Sequence, residues 1–143
     1  MYTLRESLDA DFEFCKTIGH EGLKPCIEKL TGWDQDKEDR SFLNDWEPGQ
    51  VKIVQCQGED AGYIKIEEHI AYLRIEGIYI ARNWRNRGLG TKVVKDIISS
   101  SIKPVRLQVY KISPAHRLYK RLGFEIHDEC ELRYYMEYKP GVS

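Results

Sequence analysis

The chain has no long apolar run, no excess of charge of either sign and no paired cysteines. No segment approaches the length a membrane-spanning helix needs, and the opening residues MYTLRESLDA lack the apolar stretch of a secretory leader. The formal net charge is −1, so a global attraction to a nucleic-acid backbone is absent. Cys15, Cys26, Cys56 and Cys130 stand apart, with no C-x-x-C pair and no histidine at ligand spacing. These absences predict reduced thiols, most of them packed in a core, and a cytoplasmic protein with no metal, no membrane partner and no nucleic-acid partner. Internal repeats, low-complexity segments and long linkers are missing too. What is present is ordinary for a globular chain: 143 residues, 41% of them hydrophobic and 31% charged, enough to bury a sizeable core. A single domain is expected over residues 1–139, with 140–143 as a frayed tail.

The rhythm of the sequence changes twice. YTLRE alternates as a short strand does, and the segment from Ser7 to Leu30 then takes helical spacing. WDQDKEDRSFLNDW predicts a second helix, with Asp34 as N-cap and Phe42, Leu43 and Trp46 on one side. After the PGQ punctuation at Pro48 the period becomes two. VKIVQCQ, DAGYIKIEE and AYLRIEGIYI read as three consecutive antiparallel strands, the first two joined by a turn around Gly58. Leu89, Val93, Val94, Ile97 and Ile98 then stripe one side of a helix, with Lys92, Lys95 and Asp96 facing away. PVRLQVY is a strand. SPAHRLYKRLGF is a well-signed helix with Ser113 as N-cap, Pro114 at the first helical position and Gly123 as its stop. FEIH and CELRYYMEY close as two more strands. The order β-α-α-β-β-β-α-β-α-β-β is an α+β layout with a mostly antiparallel sheet.

The densest chemical signal lies where a strand hands over to a helix, in IYIARNWRNRGLGTKVV. A helix N-terminus presents unpaired N–H groups and the positive end of its dipole, so it attracts anions. Gly88 and Gly90 remove side chains that would hold a phosphate off the backbone, and Arg85 and Arg87 can add charge-assisted bonds. No G-x-x-x-x-G-K-[ST] is present, and the third glycine of a dinucleotide fingerprint is absent. On these residues alone the stretch is an anion cradle or an arginine-rich turn closed by glycine.

The same stretch resembles the acetyl-coenzyme A loop of the GNAT superfamily of N-acetyltransferases, whose signature [QR]-x-x-G-x-[GA] falls on Arg85, Gly88 and Gly90. Downstream, VYKISPAHRLYKRLGFEIHDE is similar to a second element of that family, with Ala115, Leu118, Tyr119, Gly123 and Phe124 in place and Ser113 where most members have asparagine. The resemblance covers essentially the whole chain. It implies the GNAT fold, a mixed sheet with splayed fourth and fifth strands and about four helices, and acetyl-CoA as co-substrate with no metal. The pantetheine arm would bond the backbone of Ile78, Tyr79 and Ile80. The pyrophosphate would sit on the N–H groups of Arg85, Asn86, Arg87, Gly88, Leu89, Gly90 and Thr91. Ser113, His116 and Tyr119 complete the implied coenzyme set, although His116 by itself reads as a solvated residue one turn before Tyr119.

The implied reaction is direct attack of a primary amine on the thioester in a ternary complex. A backbone N–H near Tyr79 would polarise the carbonyl, and Tyr119 would protonate the departing thiolate. Tyr119 also shares a helical stripe with Ala115, Leu118 and Leu122, as a core aromatic would. The family's strand-four carboxylate aligns with Arg74 here, which leaves Glu76, two residues on and on the same strand face, as the base, directly or through a water. A salt-bridged surface role suits Glu76 equally. Glu68 and His69 read as turn residues at the surface. The acceptor site would draw on Glu21, Trp33, Asp34, Tyr134 and Tyr135, an acidic and aromatic set suited to a cationic amine; Trp33 serves equally as an anchor between helices. The acceptor is expected to be a small molecule, with a peptide amine, or a coenzyme-binding sensor that has lost transfer, as alternatives. A monomer or a homodimer is expected. Nucleic-acid binding through RNWRNR and its Trp84 is the remaining rival.

Overall fold

The computed structural model describes residues 1–141; of the expected tail at 140–143, Val142 and Ser143 lie outside the described residues. The elements are β1 (Tyr2–Glu6), α1 (Phe12–Leu30), α2 (Gln35–Asp45), β2 (Val51–Cys56), β3 (Glu59–Glu68), β4 (Leu73–Ile80), α3 (Leu89–Ser100), β5 (Val105–Tyr110), α4 (Ala115–Arg121), β6 (Glu125–Glu129) and β7 (Arg133–Tyr138). One-turn 3-10 segments precede α1 at Asp9–Asp11 and follow β4 at Arg82–Trp84. The strand order is β1-β2-β3-β4-β5-β7-β6. This is the α+β layout that the periodicities predict, and the parallel β4–β5 pair makes the sheet mixed, as the family resemblance implies. The described residues form two compact units, Met1–Lys65 with Gly77–Leu89, and Ile66–Glu76 with the chain from Gly90 onward.

In the first unit, β1 and β3 flank β2 in antiparallel register, Tyr2 opposite Cys56 and Val51 opposite Lys65. Gln57 and Gly58 both take positive φ, 53° and 79°, which lets a two-residue turn join β2 to β3 with the twist the strands require. Ile53, Val54, Ala61 and Ile64 are fully buried, as is Cys15 of α1. Burial pushes the Cys15 thiol up to about 12, so it is an inert core residue. The entry to α1 is fixed by charge: Arg5 grips the Asp11 carboxylate through two bonds of 2.9 and 2.8 Å, and the Leu8 N–H donates to the same group at 2.8 Å. That grip holds the Asp11 carboxyl below its ordinary range. Its contribution is therefore present at neutral pH and is lost only as acid protonates the folded carboxylate.

Asp34 caps α2 as expected, accepting from the Lys37 N–H at 3.2 Å. Phe42 and Trp46 stack at 6.0 Å and both meet Phe12 edge-on. Leu43 departs from the expected stripe, with 62% of its surface exposed. Residues 42 and 46 are one helical turn apart and share a face, whereas 43 is rotated about 100° from 42.

In the second unit, β4 and β5 run parallel with two partner pairs, Leu73 with Val105 and Arg74 with Arg106. β7 lies antiparallel to both β5 and β6, with Leu107 opposite Met136 and Met136 opposite Ile126. Val93, Val94, Val105, Phe124 and Met136 are its most deeply buried side chains. The helix predicted from Ser113 begins at Ala115 with Pro114, not Ser113, at its N-cap, and the Ser113 Oγ accepts from the Ala115 N–H at 3.2 Å in the turn that leads into it. Gly123 stops the helix with φ +103°, as the sequence implies.

Candidate active site

The turn after β4 is tied down from below. The Ala81 N–H returns to the Ala61 carbonyl at 2.8 Å, and Trp84 is buried with its indole N–H donating to Glu59 at 3.1 Å. A buried indole offers no face for stacking on a base, which removes the aromatic part of the nucleic-acid rival. Above this anchor the backbone turns left-handed at Asn86, φ +63°, and at Gly88, φ +78°. Gly88 is exposed, and a Cβ placed there would meet nothing within 4 Å. Among the described residues, the N–H groups of Asn86 and Gly88 meet no protein acceptor. The first N–H groups of α3, from Leu89 through Gly90 and Thr91, are unpaired by the geometry of any helix start. Left-handed turns opening a helix make the concave nest that binds anions.

The arginines expected to reach that anion are already engaged. Arg85 Nε donates to the Ile80 carbonyl at 2.9 Å, and its Nη2 donates to Glu21 Oε2 at 3.2 Å. Arg82 Nη2 approaches the same oxygen at 3.4 Å, and the Arg87 guanidinium lies over the Trp84 ring at 4.9 Å. An anion placed at this turn would therefore meet the backbone first. Glu21, grouped by the sequence with the acceptor site, is instead bonded to the loop. Beside it, the Tyr79 ring meets Tyr63 at 5.1 Å and is wedged between two glycines: a Cβ at Gly22 or Gly77 would come within 2.6 or 2.5 Å of it. Ile78 and Ile80 flank it, both half-buried.

Of the acceptor candidates in this unit, Trp33 meets His20 edge-on at 5.3 Å, and its Nε1 donates to Gln35 at 3.0 Å. His20 in turn bonds Asp39 of α2 at 2.9 Å. These contacts make Trp33 an anchor between α1 and α2, and Asp34 spends its carboxylate on the α2 cap.

In the second unit Tyr119 packs edge-on against Phe124 at 5.6 Å. Burial pushes its phenol above the ordinary value, so the hydroxyl keeps its proton at neutral pH and has one to donate. His116 meets Tyr134 edge-on at 5.3 Å. It is not the solvated residue that its helix position suggests: its Nδ1 is buried with no hydrogen-bond partner among the described residues. Burial and the nearby Lys120 and Arg117 charges lower its pKa, so it is neutral at pH 7. Tyr134 also lies under the Lys111 ammonium at 5.3 Å, and the Tyr135 hydroxyl donates to Cys130 Sγ at 3.6 Å.

Glu76 is exposed on β4 and lies beside the Glu67 carboxyl. Arg74 donates to Glu67 at 3.3 Å, and His69 reaches it at 3.4 Å. Burial raises the Glu67 pKa, but the bond from His69 and the Arg74 charge help to hold this carboxyl below its ordinary value. Glu67 is the residue that sequence reasoning missed. The signal was available in the short turn between the strands, closed by the His69 N–H on the Tyr72 carbonyl at 2.9 Å, which brings Glu67 across from Arg74.

Among the described residues no group of three or more His, Cys, Asp or Glu is placed to hold a metal ion, and no helix is long and apolar enough to cross a membrane. A family model described as acetyltransferase (GNAT) domain matches residues 47–126. No curated protein sequence matches the chain. Among solved structures it is similar to the PaiA N-acetyltransferase of Thermoplasma acidophilum, in complex with coenzyme A, at 14% identity and TM-score 0.73, covering 97% of this chain and 99% of that one. An N-acetyltransferase of Staphylococcus aureus Mu50 aligns at 14% identity and TM-score 0.72, covering 94% and 99% of the two chains. The spermidine N-acetyltransferase of Vibrio cholerae, in complex with CoA and spermine, aligns at 16% identity and TM-score 0.71, covering 97% and 95%. These three likenesses concern the fold.

Proposed function

The chain belongs to the acetyltransferase (GNAT) domain family, and from that premise we propose that it moves the acetyl group of acetyl-CoA to a primary amine of a small molecule. The observation that carries the reading is the nest at Asn86 and Gly88 opening α3, with an exposed glycine at the point of closest approach. The backbone N–H groups from Arg85 through Thr91 take the pyrophosphate, and the strand backbone at Ile78, Tyr79 and Ile80 takes the pantetheine arm. The neutral amine attacks the thioester carbon, forming the C–N bond while a strand N–H near Tyr79 stabilises the oxyanion. The C–S bond then breaks, and the thiolate takes the Tyr119 proton. Glu76, beside Glu67, accepts the proton that the acceptor ammonium sheds before attack, directly or through water, and the second proton, lost from nitrogen as the intermediate collapses, restores Tyr119. Coenzyme-bound relatives of the same fold, one of them a polyamine acetyltransferase, support this class of donor and acceptor.

Calorimetric titration with coenzyme A tests the cradle. Wild type should bind. Gly88→Glu places a carboxylate against the pyrophosphate, and like charges in contact cost several kcal/mol, so affinity should fall by about a hundredfold or more. A folded Gly88→Glu protein with wild-type affinity would show that the anion sits elsewhere.

A further inference from the structure

We propose that Glu21 is a positioning residue for the coenzyme loop and not an acceptor-binding group; the proposal rests on the reading of that loop as the coenzyme cradle. One oxygen of Glu21, Oε2, takes both Arg82 and Arg85. Its charge is thereby met by two guanidiniums, which leaves little for an acceptor ammonium to gain. Arg85 is the hinge of the arrangement: Nε holds the last carbonyl of β4, at Ile80, while Nη2 reaches Glu21 on α1. A rigid guanidinium fork can tie two groups at once in this way, where a single ammonium could not. The start of the cradle is thus fixed at one side to the strand end and at the other to a helix.

Helix α1 can come this close because small residues face the strands there. A Cβ at Gly22 would collide with the Tyr79 ring, and one at Gly19 would collide with the Tyr63 hydroxyl. Glu21 sits between those two glycines. Its side chain is 30% exposed and that of Arg85 36%, so the bond is partly shielded from water but still open to screening by salt. Arg82 is 82% exposed and contributes the smaller share.

Coenzyme A titrations of wild type, Glu21→Gln, Arg85→Gln and the double variant test the assignment. Glu21→Gln keeps the shape and removes the charge. It should weaken coenzyme A binding about three- to fivefold at low salt, the range a partly exposed ion pair supplies. The ratio to wild type should shrink toward one at high salt, and the double variant should bind no worse than Arg85→Gln alone. The proposal is overturned if Glu21→Gln binds like wild type at low salt, or if its loss adds in full to that of Arg85→Gln. It is also overturned if Glu21→Gln raises the KM of an acceptor amine and leaves coenzyme affinity alone. A wild-type protein that fails to bind coenzyme A brings down the cradle itself, an outcome distinct from these.

Discussion

Tyr119 is a half-buried phenol on a short helix, and its ring and its hydroxyl do different things. The ring packs on Phe124, while burial keeps the hydroxyl protonated. A thiol leaving group has a pKa of about 8.5 and needs little acid help, so a positioned acid should contribute about ten- to a hundredfold. Tyr119→Phe should therefore lower turnover by that factor, about 1.4 kcal/mol of barrier per tenfold, with stability nearly unchanged. Because the phenol pKa is raised, wild-type rates should show no loss from Tyr119 deprotonation below about pH 10. Normal turnover in Tyr119→Phe with chemistry rate-limiting would make the residue a core aromatic only. At this scale the sequence is readable where a residue acts within its own segment: Asp34 caps α2, and Ser113 bonds the first N–H of α4. It is silent where the partner is remote. Glu21 and Arg85 are 64 positions apart, and nothing local to either forecasts the bond.

Helix α1 carries the next prediction. Alanine is a better helix former than glycine by about 1 kcal/mol, so a free helix would gain from Gly22→Ala. Here the new Cβ would stand 2.6 Å from a ring that Gly77 backs on its other side. Overpacking of that kind costs about 1–3 kcal/mol. The variant should melt at or below the wild-type temperature, and a clear rise in Tm would show that the Tyr79 ring is free to move aside. Elements were legible wherever a local signal ends them, as Gly58 and Gly123 do with their positive φ. The α2 stripe was less so: Leu43 is apolar and sits beside Phe42 in sequence, yet only the 42 and 46 positions meet Phe12. Hydrophobicity alone does not say which apolar residue a helix turns outward.

At the scale of the molecule, the strand order and the two-pair parallel contact of β4 with β5 place the chain among mixed α+β sheets. The three antiparallel strands were readable from alternation. The parallel contact was not, since it depends on where the crossover helix returns the chain, and only the family resemblance implied it. The same resemblance supplies the coenzyme and the reaction, while the acceptor is chosen by side chains that no shared motif contains. The most direct test is to incubate the protein with acetyl-CoA and a panel of diamines, polyamines, amino acids and short peptides, following thiol release and the mass of each amine. Amine-dependent thiol release with a small amine acetylated in step, abolished by Gly88→Glu, is the predicted result. Thiol release that never rises above the amine-free rate, in a protein that binds coenzyme A, would contradict the assignment of acetyl transfer.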